Sequence, residues 1–150
     1  MDAWITFLRA HNALSRELST RLEAQHGLTL SDYDVLVQLY LAEGNRLRRV
    51  DLARSVLLTA SGITRLLDGL ERAGLVEKAR CSSDARVTYA VLTKAGIAKF
   101  EAARETHLAD VQELFGARFS EAEASALAEL LGRLPLAEPA CAGESGEAAA

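Results

Sequence analysis

Apolar side chains recur every three to four positions over most of the chain, with one stretch in the middle where they alternate instead. Trp4, Leu8, Leu14, Leu18 and Leu22, with His11 among them, fall on one face of a long first helix, and Gly27 stands where a C-terminal cap belongs. A second helix is expected to open at Ser31, with Asp34 three residues on in a capping-box-like start, to carry Val35, Leu36, Leu39 and Tyr40, and to end at Gly44. A basic stretch, Arg46-Leu47-Arg48-Arg49, then leads into a small helix with Leu52, Ala53 and Val56. After a brief turn, Thr59 is a good N-cap for a helix whose inward stripe is Ile63, Leu66, Leu67 and Leu70. Gly74 closes that helix.

From Leu75 the period changes. Leu75 to Arg80 reads as a strand, and Val87, Tyr89 and Val91 alternate along a second. The polar run Cys81 to Arg86 joins them as a β-hairpin. Thr93 then caps a long helix with Ile97, Phe100, His107, Leu108, Val111, Leu114 and Phe115 on or near its apolar side. Ser120 and Glu123 make a capping box for a last helix lined by Leu127, Leu130, Leu131 and Leu134. Both prolines, Pro135 and Pro139, come after this point, and the remainder has the composition of a flexible tail. The expected fold class is mostly α: a winged helix-turn-helix between long terminal helices. Four segments result: an N-terminal helix over 1–30, a lobe over 31–92, C-terminal helices over 93–134 and a tail over 135–150.

Charge changes this picture most. The 150 residues carry a formal net charge of −4, unfavourable at first sight for a nucleic-acid binder. Residues 46–94, however, hold ten of the 17 Lys/Arg and only five of the 21 Asp/Glu. A basic middle between acidic flanks is the electrostatic footprint of a local DNA-binding module. No apolar run approaches the about 18 residues of a membrane helix, and the acidic start Met1-Asp2-Ala3-Trp4 lacks the basic opening of a signal peptide. A cytoplasmic protein with no membrane partner is expected.

In a helix-turn-helix the second helix enters the major groove and the first braces it. The outward positions of the 60–72 segment suit that task. Arg65 can read guanine O6 and N7 with two hydrogen bonds, and Ser61 and Thr64 can bond bases or phosphates. Gly62 costs about 1 kcal/mol of helix propensity, which suggests close approach to DNA or to the bracing helix. Thr59, Asp68 and Arg72 complete that face, and Arg48 precedes the bracing helix. Ser83, Asp84 and Arg86 lie in the hairpin turn.

The stretch Ala60-Ser61-Gly62-Ile63-Thr64-Arg65-Leu66-Leu67-Asp68-Gly69-Leu70-Glu71-Arg72-Ala73-Gly74-Leu75-Val76-Glu77 resembles the recognition helix and first wing strand of the MarR family of transcriptional regulators. Asp84-Ala85-Arg86 resembles the wing of that family, and Val91-Leu92-Thr93-Lys94-Ala95-Gly96 resembles the segment after its wing. The resemblance spans roughly residues 3 to 134. It implies a homodimer paired through the first and last two helices, acting as a repressor on a palindromic double-stranded operator. Recognition helices would lie in successive major grooves and wings in minor grooves. It also implies that Arg86 reaches the minor groove, oriented by Asp84. Many members carry a second basic residue between these two; Ala85 departs from that pattern. Small phenolic or carboxylate ligands are implied between lobe and dimer helices, with Trp4, Phe7, His11 and Tyr33 as candidate contacts.

Other chemistry finds little support. His11, His26 and His107 have no metal-ligand spacing, and no metal or other cofactor is expected. No paired carboxylates, triad or phosphate loop points to catalysis. Cys81, beside Arg80, could be a reactive thiol, and Cys141 lies in the tail. Two alternatives therefore stay open: a redox-responsive regulator, and a winged-helix module used for protein–protein contact.

Overall fold

The computed structural model describes residues 1–56, 60–80 and 86–135, and for Ala60 and Ser61 the backbone alone. Its helices are α1 (Asp2–His26), α2 (Leu30–Leu41), α3 (Arg49–Ser55), α4 (Ala60–Arg72), α5 (Lys94–Leu114) and α6 (Glu121–Leu131). Its strands are β1 (Arg46–Arg48), β2 (Val76–Arg80) and β3 (Thr88–Leu92). They form one antiparallel sheet in the order β1-β3-β2. Two compact units result, residues 1–33 with 98–135, and residues 34–97.

The second unit is built around α2, α3, α4 and the sheet. Val35, Leu36, Leu39, Leu52, Ile63, Leu67 and Leu70 are buried, as the helical stripes require. Leu66 is only half-buried. Along β3 the alternation is present, but the buried positions are Ala90 and Leu92, while Tyr89 and Val91, and Val87 just before the strand, are half-buried. Gly44 and Gly74 both adopt left-handed φ, 65° and 71°.

Three expectations need correction. Helix α2 starts before Ser31. Its first turn is closed by Thr29 and Asp32, whose side chains exchange hydrogen bonds with each other's backbone N–H at 2.9 and 3.1 Å. Asp34 is instead half-buried, and that burial pushes its carboxyl above the ordinary carboxylate range. Helix α2 itself stops at Leu41, and Gly44 sits in the separate 3-10 turn Glu43–Asn45 beyond it. The third correction concerns Arg46–Arg48, read as a basic lead-in: it is a strand, paired with β3 in the register Arg46↔Val91, Leu47↔Ala90, Arg48↔Tyr89. The Arg46 guanidinium lies 5.3 Å from the Tyr89 ring centre, a cation–π arrangement across the strand pair.

The start of α5 is fixed to the end of α4. Thr93 Oγ1 donates to the carbonyls of Gly74 (2.7 Å) or Leu75 (3.1 Å) and accepts from the Gly96 N–H at 3.0 Å. Gly96 is required by space: a Cβ there would lie 2.0 Å from the Leu75 carbonyl oxygen and 2.8 Å from a Leu92 methyl.

In the first unit α1 ends at Gly27 in the left-handed conformation, and Ser120 and Glu123 form the expected capping box of α6. Arg21 on α1 reaches Asp110 at 2.7 Å and Glu113 at 3.1 Å on α5. These pairings hold the Glu113 carboxyl below its ordinary value and the guanidinium firmly charged. His26 Nε2 meets Thr106 Oγ1 at 2.6 Å. The apolar stripe of α1 is buried only at its end, at Leu22, while Trp4 is 58% exposed.

Candidate nucleic-acid interface

Among the longer helices α4 is the most sharply two-faced, which is why its sequence so cleanly separates core from surface. Ile63, Leu67 and Leu70 anchor it, so Arg65 and Arg72, roughly opposite, are exposed. Arg65 forms no ion pair among the described residues. Its planar fork is thus available to an outside partner.

Thr64 is half-buried, and its hydroxyl accepts a hydrogen bond from Arg49 Nη2 on α3 at 2.5 Å. Asp68 takes an ion pair from Lys78 Nζ on β2 at 2.7 Å; Lys78 also reaches Glu71 at 2.8 Å. The ammonium therefore clamps β2 to α4, and its hydrogen bond holds the Asp68 carboxyl below its ordinary pKa. Arg72 Nε donates back to the Asp68 carbonyl at 3.2 Å. Arg48 pairs with Asp51 of α3.

A cavity of about 600 Å³ opens between α3, α4 and β3, lined by Arg48, Arg49, Val50, Ala53, Arg54, Ile63, Thr64, Arg86, Val87 and Thr88. The structure thus brings Arg48, Thr64 and Arg86 together around one depression, while Arg65 and Arg72 stand on the exposed face of α4. Gly62 is half-buried in the first turn of that helix. Thr59, Ser83 and Asp84, with Cys81 and Cys141, lie outside the described residues, as does the side chain of Ser61.

Sequence reasoning passed over Arg49 and Arg54. Both sit in the short helix α3, read from the sequence only as the brace for α4. The signal was available in the density of arginine between positions 46 and 54.

The four candidate ligand contacts fall into two ring groups within the first unit. Trp4, Phe7 and His11 stack along exposed α1, with neighbouring centroids 6.2 Å apart. Tyr33 is buried against Phe100 at 5.6 Å and His107 at 4.5 Å. His107 Nδ1 is buried with no hydrogen-bond partner, and burial lowers the pKa of its ring. Burial also raises that of the Tyr33 phenol. Among the described residues no helix is long and apolar enough to cross a membrane.

Comparison with known proteins places this geometry. A MarR family sequence model matches residues 26–87. MhqR, a transcriptional regulator of Bacillus subtilis, is 28% identical over 136 residues, 91% of each chain. The crystal structure of AbsC, a MarR family regulator of Streptomyces coelicolor, is 32% identical, covers 86% of both chains and superposes with a TM-score of 0.81. A second Streptomyces coelicolor MarR family regulator, crystallised in complex with DNA, is 26% identical with a TM-score of 0.82, over 87% of this chain and 81% of that one. With a relative this similar along nearly its whole length, and with the helix-turn-helix and hairpin in place, the chain belongs to the MarR family of winged helix-turn-helix transcriptional regulators.

Proposed function

We propose that the chain is a sequence-specific, homodimeric DNA-binding repressor of a palindromic operator. The observation that carries DNA binding is the exposed Arg65, free of any ion pair among the described residues, on a helix held by α3 and by the Lys78 clamp, next to an arginine-lined cavity. A rigid scaffold presenting a free guanidinium fork is what base readout in the major groove requires. In this reading Ser61, Gly62, Thr64, Arg65 and Arg72 face the major groove, with Thr59 at its entrance. Arg48, Ser83, Asp84 and Arg86 meet the backbone and the minor groove. Asp68 acts through Lys78.

The dimer is supported by the apolar side chains that α1, α6 and the turn after α6 leave uncovered in one chain, Trp4, Ile5, Leu8, Leu130 and Leu134 among them. Segments 1–30 and 93–134 would then pair across a two-fold axis, and 31–92 would serve as the DNA-binding lobe. One lobe reads a half-site, and two reach successive major grooves about 34 Å apart. A phenolic or carboxylate ligand taken up beside the Tyr33–His107 cluster, where His107 Nδ1 lacks a partner, would act by altering that spacing. Linkage requires such a ligand to bind free protein more tightly than DNA-bound protein, by the factor with which it weakens DNA binding.

The test is a pair of variants on the duplex that the protein selects from a randomised pool. Arg65→Ala should cost about 1–3 kcal/mol on that duplex and relax base preference at one position per half-site. Arg86→Ala should weaken binding more evenly across sequences. Equal losses for Arg65→Ala on the selected and a scrambled duplex would refute base reading by this helix.

A further inference from the structure

We propose that the cavity between α3, α4 and β3 is the seat of one DNA backbone phosphate, held by Arg49 and Arg54, and that Arg49 couples that phosphate to the recognition-helix residue Thr64. The inference deepens the DNA-binding reading and rests on it. None of the ten described lining residues is acidic, whereas four are arginines. Of these, Arg48 is already neutralised by Asp51. Arg49 and Arg54 border a depression whose other walls include the aliphatic Val50, Ala53, Ile63 and Val87. That mixture matches a phosphodiester with its deoxyribose: an anion for the guanidiniums, and a carbon face for the side chains.

Arg49 is the centre of the argument. Its Nη2 donates to Thr64 Oγ1, and its Nε is buried with no hydrogen-bond partner. A guanidinium offers five N–H donors in a fixed plane, and burying one without an acceptor is unfavourable. An oxyanion at the cavity satisfies that donor and the charge together, in the forked geometry that suits phosphate. Because the same planar group also grips Thr64, seating the phosphate fixes the Thr64 side chain. Backbone engagement and base reading are thereby joined through one side chain. Arg54, exposed on the same wall, adds charge without touching Thr64.

The experiment scans the duplex selected by the full-length protein with single neutral methylphosphonates, against wild type, Arg49→Gln and Arg54→Gln. One phosphate per half-site should weaken wild-type binding about tenfold when neutralised and have little effect in either variant. The slope of log affinity against log salt should fall by about one per lost contact. Base discrimination at the position read by Thr64 should relax in Arg49→Gln and persist in Arg54→Gln. Arg54→Gln, on the exposed rim, keeps the test decisive if Arg49→Gln does not fold. The proposal is overturned if wild type selects a duplex but every neutralisation acts alike in wild type and variants. It is equally overturned if inorganic phosphate at fixed ionic strength binds wild type but not Arg54→Gln and leaves DNA affinity unchanged, which would assign the cavity to a free oxyanion and not to the DNA backbone. If wild type selects no duplex at all, the DNA-binding reading falls, and this one with it.

Discussion

The two units of the chain differ most in what they do with apolar surface. In the unit of residues 34–97, Val35, Leu36, Leu39, Leu52, Ile63, Leu67, Leu70, Val76 and Leu92 are buried, and only Leu41 and Val50 stand out as large exposed hydrophobics among the described residues. In the unit of residues 1–33 and 98–135 the balance reverses. Leu22, Leu28, Tyr33, Phe100 and Ala103 are buried, while Trp4, Ile5, Phe7, Leu8, Leu108, Phe115, Phe119, Leu130 and Leu134 are exposed. A single chain thus completes one core and leaves the other open. Polar positioning shows the same division. The lobe uses its ion pairs to align α4 with the hairpin, whereas Arg21 ties α1 to α5 and leaves the apolar faces beyond it uncovered. The lobe therefore closes its own core, whereas the helical unit leaves much of its apolar surface exposed in one chain.

Breaking the open core should have the largest effect. Leu8→Asp combined with Leu130→Asp should convert a dimer into a monomer by light scattering. It should also lower affinity for a two-half-site duplex by about 10²–10⁴, because the second lobe no longer binds at high effective concentration. A monomeric wild type at micromolar concentration would undo the contrast between the two units. Next come truncations in the two regions. Leu67→Ala should cost about 2–5 kcal/mol in urea unfolding, independent of protein concentration. Leu130→Ala, 54% exposed in one chain, should instead make the midpoint more dependent on concentration. Equal, concentration-independent losses would mean that Leu130 is ordinary surface or ordinary core.

Gly96→Ala probes the join of α5 to the lobe. The added Cβ meets the Leu75 carbonyl and Leu92, so backbone must move, and a loss of about 1–3 kcal/mol is expected. An unchanged unfolding midpoint would show that the approach is looser than the geometry here. The smallest effect is on pH. Burial holds the His107 imidazole below its ordinary value. The unfolded chain therefore takes up a proton near pH 6.5 before the folded one does. Stability from this group is full above that pH and is lost as pH falls through it. Half-buried Asp34 in the lobe has the opposite sign: its raised carboxyl pKa favours the fold at low pH and is a cost once pH rises through it. Urea midpoints at about pH 7.5 and about pH 5.5, on either side of the ordinary imidazole value, check the first case for wild type and His107→Gln. An unaltered pH dependence in the variant would remove His107 as its source.

Much of the lobe was legible because its signals are local. The stripe Ile63, Leu67 and Leu70 determined which face of α4 is free, so Arg65 could be named from spacing alone. Gly27, Gly74, Thr93 and the Ser120–Glu123 box marked helix ends through chemistry confined to a single turn. Thr29 was missed because two capping patterns overlap. Thr29–Asp32 and Ser31–Asp34 have the same spacing, and burial of the second carboxyl settled which one closes the helix.

Tertiary structure decided the rest. Three residues with one leucine between arginines carry no strand signal, and Arg46–Arg48 is extended because β3 offers it an unpaired edge. Asp68 reads as one more outward side chain until the hairpin folds back and brings Lys78 within 2.7 Å of it. Arg49 and Thr64 are fifteen positions apart and meet only when α3 packs on α4. Periodicity and capping depend on neighbours within a few residues, so the sequence alone determined the elements and the outward face. Strand edges, ion pairs and the arginine-lined cavity depend on which elements meet, and that is settled only when the core closes.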